Sequence, residues 1–498
     1  MTLCLDLTLP PEAAAKLWRH PALAARGRPR ATAEAWDWLD SAGGTLAKAG
    51  LALRSAARGG RRLCPLRVPE DEAARPGAAP SGTSSMAGLS LPGTPLPEGT
   101  VLPADAVPAE AGEAALLPVA HYAGRVAQSP PDAAGVALRW RTGTLRAGER
   151  QQAVAFLTLE GPAEAVLAVA TALPGLPAAA GLDELALALA RGTPPRPRRK
   201  GAPDLGGATT PDDALALAIA HLTNVLLAQA PLARPEAGPE AVHQLRVAAR
   251  RLRSCLKAFR PMRDGPALRA LDAGLRDLAR GLGEAREWDV FLGGLGAELA
   301  TVLGPDRRWA QLLRAAGQRR LEAYARLRAT LEGPAFHTLA WQAVRLAAMR
   351  DWGAPDGAAA EAPLRAQAAG LLARRRRKLL KGGREIESLD DHALHELRLE
   401  AKRLRYVAEL FAPLWPGKPA RRFLRRIGAL QEALGLSNDT VAARALVASL
   451  QGGKGTGAPG WAIGLAEGWA LSAGRDTRPA ALRAWRRFLR AEPFWDDG

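Results

Sequence analysis

The 498-residue sequence has few cysteines, few aromatic side chains and no long uninterrupted apolar run. Its three cysteines, Cys4, Cys64 and Cys255, form no Cys-x-x-Cys pair, so neither a disulfide framework nor a cysteine zinc site is expected. No basic segment followed by an apolar one opens the chain, so we expect no signal peptide. The longest apolar stretch, residues 163–190, is broken by prolines and acids and is not expected to span a bilayer. These absences favour a cytoplasmic protein.

Neither part of the chain has a net negative charge, and the net positive charge is confined to one part. Residues 1–195 contain 18 basic and 18 acidic residues, so the whole net charge of +18 lies in residues 196–498. Such asymmetry indicates an anionic partner for the second part, such as polyphosphate, nucleic acid or an acidic membrane face. The length predicts two or three domains, and the abundance of Ala, Leu and Arg favours helix.

The pattern of apolar residues predicts an α+β protein with two main domains. Short alternating segments indicate strands, and from residue 212 onward the pattern is helical almost throughout. The predicted first domain covers residues 1–191, of which 69–113 are rich in Pro, Gly, Ala and Ser and predict loop or disorder. A linker at 192–211 and a helical domain at 212–498 follow. Strands are expected at 3–9, 36–40, 51–55, 136–141 and 154–159, and helices at 11–19 and 163–173.

The helical part contains an internal repeat with an offset of 152 residues. Residues 243–253 read HQLRVAARRLR, and residues 395–405 read HELRLEAKRLR. The register continues without a gap for some forty residues, through Phe259 and Phe411 to the Leu-Gly pairs at 282–283 and 434–435. Such agreement indicates a duplicated structural unit.

Each copy of the motif predicts a helix with one basic face. At 100° per residue, His243, Arg246, Arg250, Arg253 and Lys257 share one stripe, while the leucines lie opposite. The second copy repeats the pattern, except that Glu409 stands where the first copy has Lys257. Like charges at this spacing repel one another, so an external anion is expected to stabilise them. Arginine forks suit phosphate oxygens, and histidine can add a further charge.

These motifs resemble the CHAD family, the conserved-histidine α-helical domains, over residues 212–495. The resemblance implies an all-α domain of two pseudo-symmetric four-helix bundles whose basic groove binds inorganic polyphosphate, and association with polyphosphate granules is a further expectation. The basic run 374–378, with Lys381, precedes the second motif as similar runs do in that family. The candidate polyphosphate-binding residues are His243, Arg246, Arg250, Arg251, Arg253, Lys257, His395, Arg398, Lys402, Arg403 and Arg405, with Arg375, Lys378 and Lys381 from the basic run.

The first domain resembles a degenerate CYTH domain, the triphosphate tunnel fold. Residues 5–12, 38–41 and 46–54 lie where that family has its opening strand, its Tyr-Phe-Asp-Thr and its Gly-Leu-x-Leu-Arg. The resemblance implies a degenerate β-barrel-like domain. However, Thr2, Cys4 and Asp6 replace the opening Glu-x-Glu-x-Lys, and residues 154–159 carry no carboxylate. We therefore expect no bound metal, no cofactor and no catalysis.

Two other functions remain open from the sequence. A metal-dependent hydrolase of tri- or polyphosphate would use the CYTH-like domain. Nucleic-acid binding would use the same basic helices, although no helix-turn-helix or aromatic stacking platform is evident. A di-iron or zinc bundle is disfavoured, because the Glu240-x-x-His243 spacing is not repeated: the second copy has His392 in place of the glutamate.

Overall fold

The computed structural model has an α+β fold in which antiparallel strands precede a run of long helices. It describes residues 1–56, 60–66, 91–96, 99–103, 106–112, 115–195, 201–205, 207–353, 363–434, 445–450, 460–474 and 477–496. The described residues form two compact units. The first comprises residues 1–201, 219–232 and 334–350, and the second comprises residues 202–218, 233–333 and 351–498.

One antiparallel sheet of nine strands lies in the first unit, in the order β5-β4-β3-β2-β6-β7-β8-β1-β9. Leu3, Leu5 and Leu7 alternate along β1 and are buried, which turns Cys4 and Asp6 to the opposite face of the sheet. The strands are β1 (Thr2–Thr8), β2 (Ala31–Asp40), β3 (Leu51–Ala56), β4 (Gly60–Pro65), β5 (Thr100–Leu102), β6 (Leu117–Ser129), β7 (Ala137–Ala147), β8 (Arg150–Pro162) and β9 (Leu176–Pro177).

The sheet is open, so the expectation of a barrel-like domain was wrong. Its edge strands β5 and β9 have three and two residues, and within the described ranges they do not pair with each other. Strands this short offer too few backbone hydrogen bonds to close a barrel. The sheet is nevertheless strongly curved. Strands β4 and β1 would lie roughly 29 Å apart in a flat sheet, yet Cys64 and Cys4 line the same cavity.

The strand and helix predictions for the first 175 residues are largely confirmed. Each of the five predicted strands falls on an observed strand, and the helix predicted at 163–173 is observed one residue shorter. The helix predicted at 11–19 is an α-helix followed by one 3₁₀ turn. Much of the loop predicted at 69–113 lies outside the described residues, and the described remainder contains β5 and a 3₁₀ turn.

Most of the described helices belong to the second half of the chain. The first three helices of the chain are short: α1 (Pro11–Lys16), α2 (Pro21–Ala24) and α3 (Thr45–Lys48). The others are α4 (Ala163–Ala172), α5 (Leu182–Arg191), α6 (Pro211–Gln229), α7 (Glu240–Phe259), α8 (Pro266–Gly293), α9 (Leu295–Leu303), α10 (Arg307–Glu332), α11 (Pro334–Met349), α12 (Leu364–Gly382), α13 (Asp391–Phe411), α14 (Lys418–Ala433), α15 (Gly460–Gly474) and α16 (Thr477–Leu489).

The sequence repeat corresponds to a repeat of helices. Helices α7 and α13 end at Phe259 and Phe411, and helices α8 and α14 begin at Pro266 and Lys418, so both pairs keep the offset of 152 residues. Within the second unit α7 packs against α8, α13 packs against α14, and α7 contacts α13. The rings of Phe259 and Phe411 lie 5.6 Å apart between centroids. The two repeated helices therefore meet through equivalent residues.

Helix α11 joins the first unit through specific contacts. The Trp341 indole donates a hydrogen bond to the carbonyl of Gly175 at 3.0 Å, and Arg345 pairs with Glu164 of α4 at 2.9 Å. The Trp341 side chain is buried. A helix from the second half of the chain is thus part of the core that the sheet builds.

One described helix with its following turn, Pro211–Leu232, is long and apolar enough to cross a membrane, with a mean hydropathy of 1.6. The 18-residue stretch that has this hydropathy is 67% buried inside the protein. A core helix passes the same test of length and composition, so the segment is weak evidence for a membrane.

Candidate anion-binding surface

Helices α7 and α13 carry the two copies of the basic motif, and each buries its apolar face. On α7 the predicted apolar positions Leu245, Ala249, Leu252, Leu256 and Phe259 are all buried, and on α13 so are Leu397, Leu404, Ala408 and Phe411. Because these residues recur every three or four positions, the charged side chains lie on the other side of each helix. The amphipathic prediction is confirmed for both helices.

Three arginines and a histidine come together on the N-terminal half of α7 and on α8. His243 and Arg246 both lie within electrostatic range of Arg250 and of Arg286 of α8, and we call these four residues the α7–α8 cluster. Burial, followed by the charges of Arg286, Arg250 and Arg246, lowers the pKa of His243, although Glu240 acts in the opposite direction. Burial and the charge of Arg250 lower the pKa of Arg246 in the same way. The cluster is therefore a site of like-charge repulsion in the ligand-free protein.

Arg286 was not among the residues proposed from the basic motif. It belongs to the Leu-Gly-x-x-Arg-Glu element at 282–287, which is part of the family resemblance. The glycine of this element leaves space for Arg246, because a Cβ atom added to Gly283 would lie 3.1 Å from the Arg246 Nη1 atom. Helix α8 thus makes room for one arginine and supplies another. The equivalent second-repeat element, 434–439, lies outside the described residues from 435 onward.

Several of the predicted cations are engaged in ion pairs inside the second unit. Glu409 accepts hydrogen bonds from Arg251 Nη2 at 3.0 Å and from Arg405 Nε at 2.7 Å, so it bridges α7 and α13. Arg253 Nε donates to Asp272 of α8 at 2.9 Å. The Glu409 and Asp272 carboxylates are mostly buried, which makes these contacts stronger than exposed ion pairs.

A second internal acid, Glu400, lies beneath the basic face of α13. Its buried carboxylate accepts a hydrogen bond from Arg403 and contacts Lys378 Nζ of α12 at 2.8 Å. Burial by itself raises the pKa of Glu400, but the hydrogen bond from Lys378 and the charge of Arg403 bring the pKa below its ordinary value. Lys378 and Arg403 therefore share one carboxylate, which offsets a single unit of their positive charge.

Among the described residues, the other predicted site residues have no such internal partner, with one exception. Within the described ranges, Arg246, Arg250 and Arg398 form no ion pair, and the Nε atoms of Arg250 and Arg398 are buried without a hydrogen-bond partner. His395 and Lys257 are exposed, whereas Lys402 is half-buried and has a partner. Arg375 and Lys381 on α12 also lack an ion pair among the described side chains.

Comparison with known families identifies this helical part. The family model of the CHAD domain matches residues 217–448. The chain contains a CHAD domain. The chain is similar to the crystal structure of the CHAD domain from the plant Ricinus communis, with 26% identity and a TM-score of 0.49, over 60% of this chain and 98% of that one.

A second solved structure, PptA from Streptomyces chartreusis, is similar to this chain with 20% identity and a TM-score of 0.44. The similarity covers 56% of this chain and 100% of that one. No curated protein matches the chain.

The first unit has a cavity of about 760 Å³ on the curved face of its sheet. It brings together Arg54, Arg62, Arg139 and Arg141. Its acids include Asp6, Asp183 and Glu184, together with Glu160, which lies on β8 just beyond the segment expected to carry no carboxylate. Within the described part of the chain, no three His, Cys, Asp or Glu side chains are grouped so as to hold a metal.

Two of the cavity arginines, Arg54 and Arg141, are bound to carboxylates of the same unit. Asp183 accepts two hydrogen bonds from Arg54, at 2.5 and 2.7 Å, and one from the Trp38 indole at 2.8 Å. Arg141 Nε donates to Glu34 at 2.6 Å. Burial alone would lower the pKa of Arg54, but the Asp183 charge raises it above the ordinary value. These arginines are therefore parts of buried ion pairs.

The thiols of this unit are suppressed as nucleophiles. Burial, with the nearby charges of Asp6 and Glu160, raises the pKa of Cys4 to about 12. Burial also raises the pKa of Cys64. Because the thiolate is the reactive form, neither cysteine is chemically activated at neutral pH.

Proposed function

We propose that the CHAD domain binds inorganic polyphosphate through the basic face of its repeated helices. The observation that carries this proposal is the α7–α8 cluster, in which Arg246 and Arg250 are held side by side without an ion pair among the described residues. Repulsion among these cations costs free energy in the ligand-free protein, and a polyanion that lies across them removes that cost. The whole net charge of +18 lies in the same part of the chain.

The geometry suits a linear anion with closely spaced charges. From His243 to Arg250 the α7 axis advances by roughly 10 Å, at about 1.5 Å per residue, which corresponds to a few phosphate units. Arginine donates two parallel hydrogen bonds to phosphate oxygens, and such charge-assisted bonds are about twice as strong as neutral ones. A location on polyphosphate granules in the cytoplasm is compatible with this binding and is part of the proposal.

Binding to long-chain polyphosphate should weaken steeply as salt increases, because counterions are released from the polyanion. Four contacts, through Arg246, Arg250, Arg286 and Arg398, predict a slope of about −3 for the logarithm of the association constant against the logarithm of salt concentration. Calorimetric titration of the full chain between low and physiological ionic strength measures this slope.

Competition with duplex DNA separates the polyphosphate proposal from nucleic-acid binding. We expect polyphosphate to displace DNA at equal phosphate concentration. The proposal fails if the slope is near zero or if DNA displaces polyphosphate.

We also expect binding to strengthen as the pH falls, through His243. Its pKa is lowered in the folded, ligand-free protein, so folding disfavours the protonated ring, and unliganded stability is lost as the pH falls below the unfolded value of about 6.5. A bound polyanion favours the protonated form, so binding takes up a proton. Affinity measured at pH 5.5 and pH 7.5 should show a gain at the lower pH that His243→Gln abolishes.

The second-repeat histidine provides the control for this pH effect. His395 is exposed, and the His395→Gln variant should retain the gain at low pH. Any protonation of polyphosphate itself affects both variants equally, so the difference between them isolates His243. Equal pH profiles for the two variants would contradict the assignment to His243.

For the first unit, we propose a CYTH-like platform without hydrolytic activity. The support is that Arg54 and Arg141 are held by Asp183 and Glu34, so their charges already serve the fold. The acids that remain in the cavity lie beside further arginines and form no described metal-holding group. A metal cage would require such a group to neutralise the phosphate charge.

A further inference from the structure

We propose that the two repeats contribute unequally, and that a short oligophosphate is anchored by the first repeat alone. This inference rests on the proposed function and specifies which half of the CHAD domain performs it. In the second repeat, two internal carboxylates, Glu400 and Glu409, hold the cations that would otherwise contact phosphate. The consequence is one strong site on α7 and α8 and a weaker extension along α13.

At three positions of the repeat the second copy is the more negative one, whereas the run 374–378, which replaces the uncharged residues 222–226, is more positive. Glu400 stands where the first repeat has Ala248, and Glu409 stands where it has Lys257. In the sequence, Asn438 takes the place of Arg286. The second repeat is therefore more negative by one, two and one charge units at these positions. The first-repeat motif, residues 243–253, contains no acid at all.

The acids of the second repeat make direct contacts with the predicted binding residues. Glu409 lies 2.7 Å from Arg405 Nε, and Glu400 lies 2.8 Å from Lys378 Nζ and also bonds Arg403. To bind phosphate, each of these cations would exchange its mostly buried carboxylate partner for another anion. Such an exchange yields little net free energy compared with the capture of an anion by an unpaired cation.

The first repeat retains cations that an anion can satisfy directly. Arg246 and Arg250 form no ion pair within the described ranges, and Arg286 lies next to both His243 and Arg246. Glu287 is the acid whose charge acts on Arg246, but it is exposed and forms no described ion pair with it. Arg251 and Arg253 are the exceptions, since Glu409 and Asp272 hold them.

On α13 one comparable residue remains, Arg398, which has no ion pair among the described side chains. The neighbouring position, which carries Arg250 in the first repeat, is Lys402 in the second and has a partner of its own. Because the sequence has Asn438 at the position equivalent to Arg286, Arg398 provides a single contact from α13. A polyphosphate chain long enough to extend beyond the first repeat would gain the contact with Arg398 as well.

Matched double variants of the full chain test this asymmetry, with tripolyphosphate as the probe. Arg246→Gln with Arg250→Gln should raise the Kd about 100-fold or more, since two charge-assisted contacts are lost. Arg398→Gln with Lys402→Gln, at the equivalent positions, should raise it about tenfold or less, because an anion anchored by the first repeat alone does not contact these residues and loses only long-range charge attraction. Because both changes remove positive charge, the comparison at one salt concentration separates position from net charge.

The possible outcomes distinguish this inference from the proposed function. Equal losses in the two variants, or a larger loss in the second, overturn the asymmetry while polyphosphate binding stands. Binding of long polyphosphate without binding of tripolyphosphate overturns the short anchor. Failure of the unmodified protein to bind either one overturns both. A lower melting temperature of the unliganded Arg246→Gln/Arg250→Gln variant would also overturn it, because removal of repelling, unpaired cations should leave stability unchanged or higher.

Discussion

Replacing Gly283 by leucine should weaken polyphosphate binding by about 10- to 100-fold, the effect of losing one charge-assisted contact, while the protein remains folded. An added Cβ would lie 3.1 Å from Arg246 Nη1, so the larger side chain displaces the flexible end of that arginine. No charge is removed, and a glycine within a helix is replaced by a better helix former. Isothermal titration with long-chain polyphosphate and a thermal melt of the same sample give both readouts.

A glycine two residues earlier supplies the matched control. Gly281 is exposed on the same helix, and nothing lies within 4 Å of its added Cβ. Gly281→Leu should leave the affinity unchanged, and Gly283→Ala should have an effect between those of the two leucine variants. If Gly283→Leu binds as tightly as Gly281→Leu, Arg246 does not contact the anion from the position seen in the structure.

Replacing Asp183 by alanine should destabilise the first unit by about 3–5 kcal/mol, the typical cost of removing one partner from a buried ion pair. The change leaves the Arg54 guanidinium and the Trp38 indole without their acceptor in a buried position. Because the chain forms two units, one melting temperature does not isolate the effect. Hydrogen exchange followed by mass spectrometry does, and amides of β2, β3 and α5 should exchange at least about 100-fold faster.

Asp37 is the control for this substitution. Its carboxylate pairs with His121, but both side chains are almost half exposed, so Asp37→Ala should cost no more than about 1 kcal/mol. Exchange rates in the Asp183→Ala variant within threefold of the unmodified protein would contradict a structural role for the ion pair.

Phosphate release from tripolyphosphate with Mg²⁺ should be absent in both variants and in the unmodified chain. Metal-dependent release would instead support a hydrolase.

Local periodicity explains which parts of the fold could be predicted from the sequence. The helical face of α7 follows from the spacing of Leu245, Leu252 and Phe259, and β1 follows from the alternation of its leucines, because each pattern depends only on near neighbours. The repeat itself required only the comparison of two segments. These features are confirmed by the burial of the same residues in the structure.

Sheet closure could not be predicted in the same way. The resemblance of the first part to a tunnel fold implied a barrel-like domain, but closure depends on the length and pairing of the two edge strands. Strand β9 has only two residues, and β5 lies within the segment 69–113, whose sequence predicted loop or disorder. The pairing partners of such strands are distant in the chain, so periodicity does not reveal them.

The sequence by itself determined the CHAD-like repeat, the basic faces of its two helices and the location of the net charge, because these depend on residue identity and helical spacing. Only the tertiary structure decided which of those cations are available to a ligand. Arg251 and Glu409 are 158 positions apart in the chain, and Arg246 meets Arg286 from another helix. An ion pair between distant segments cancels a charge that the sequence counts as free, so the availability of each cation is a property of packing.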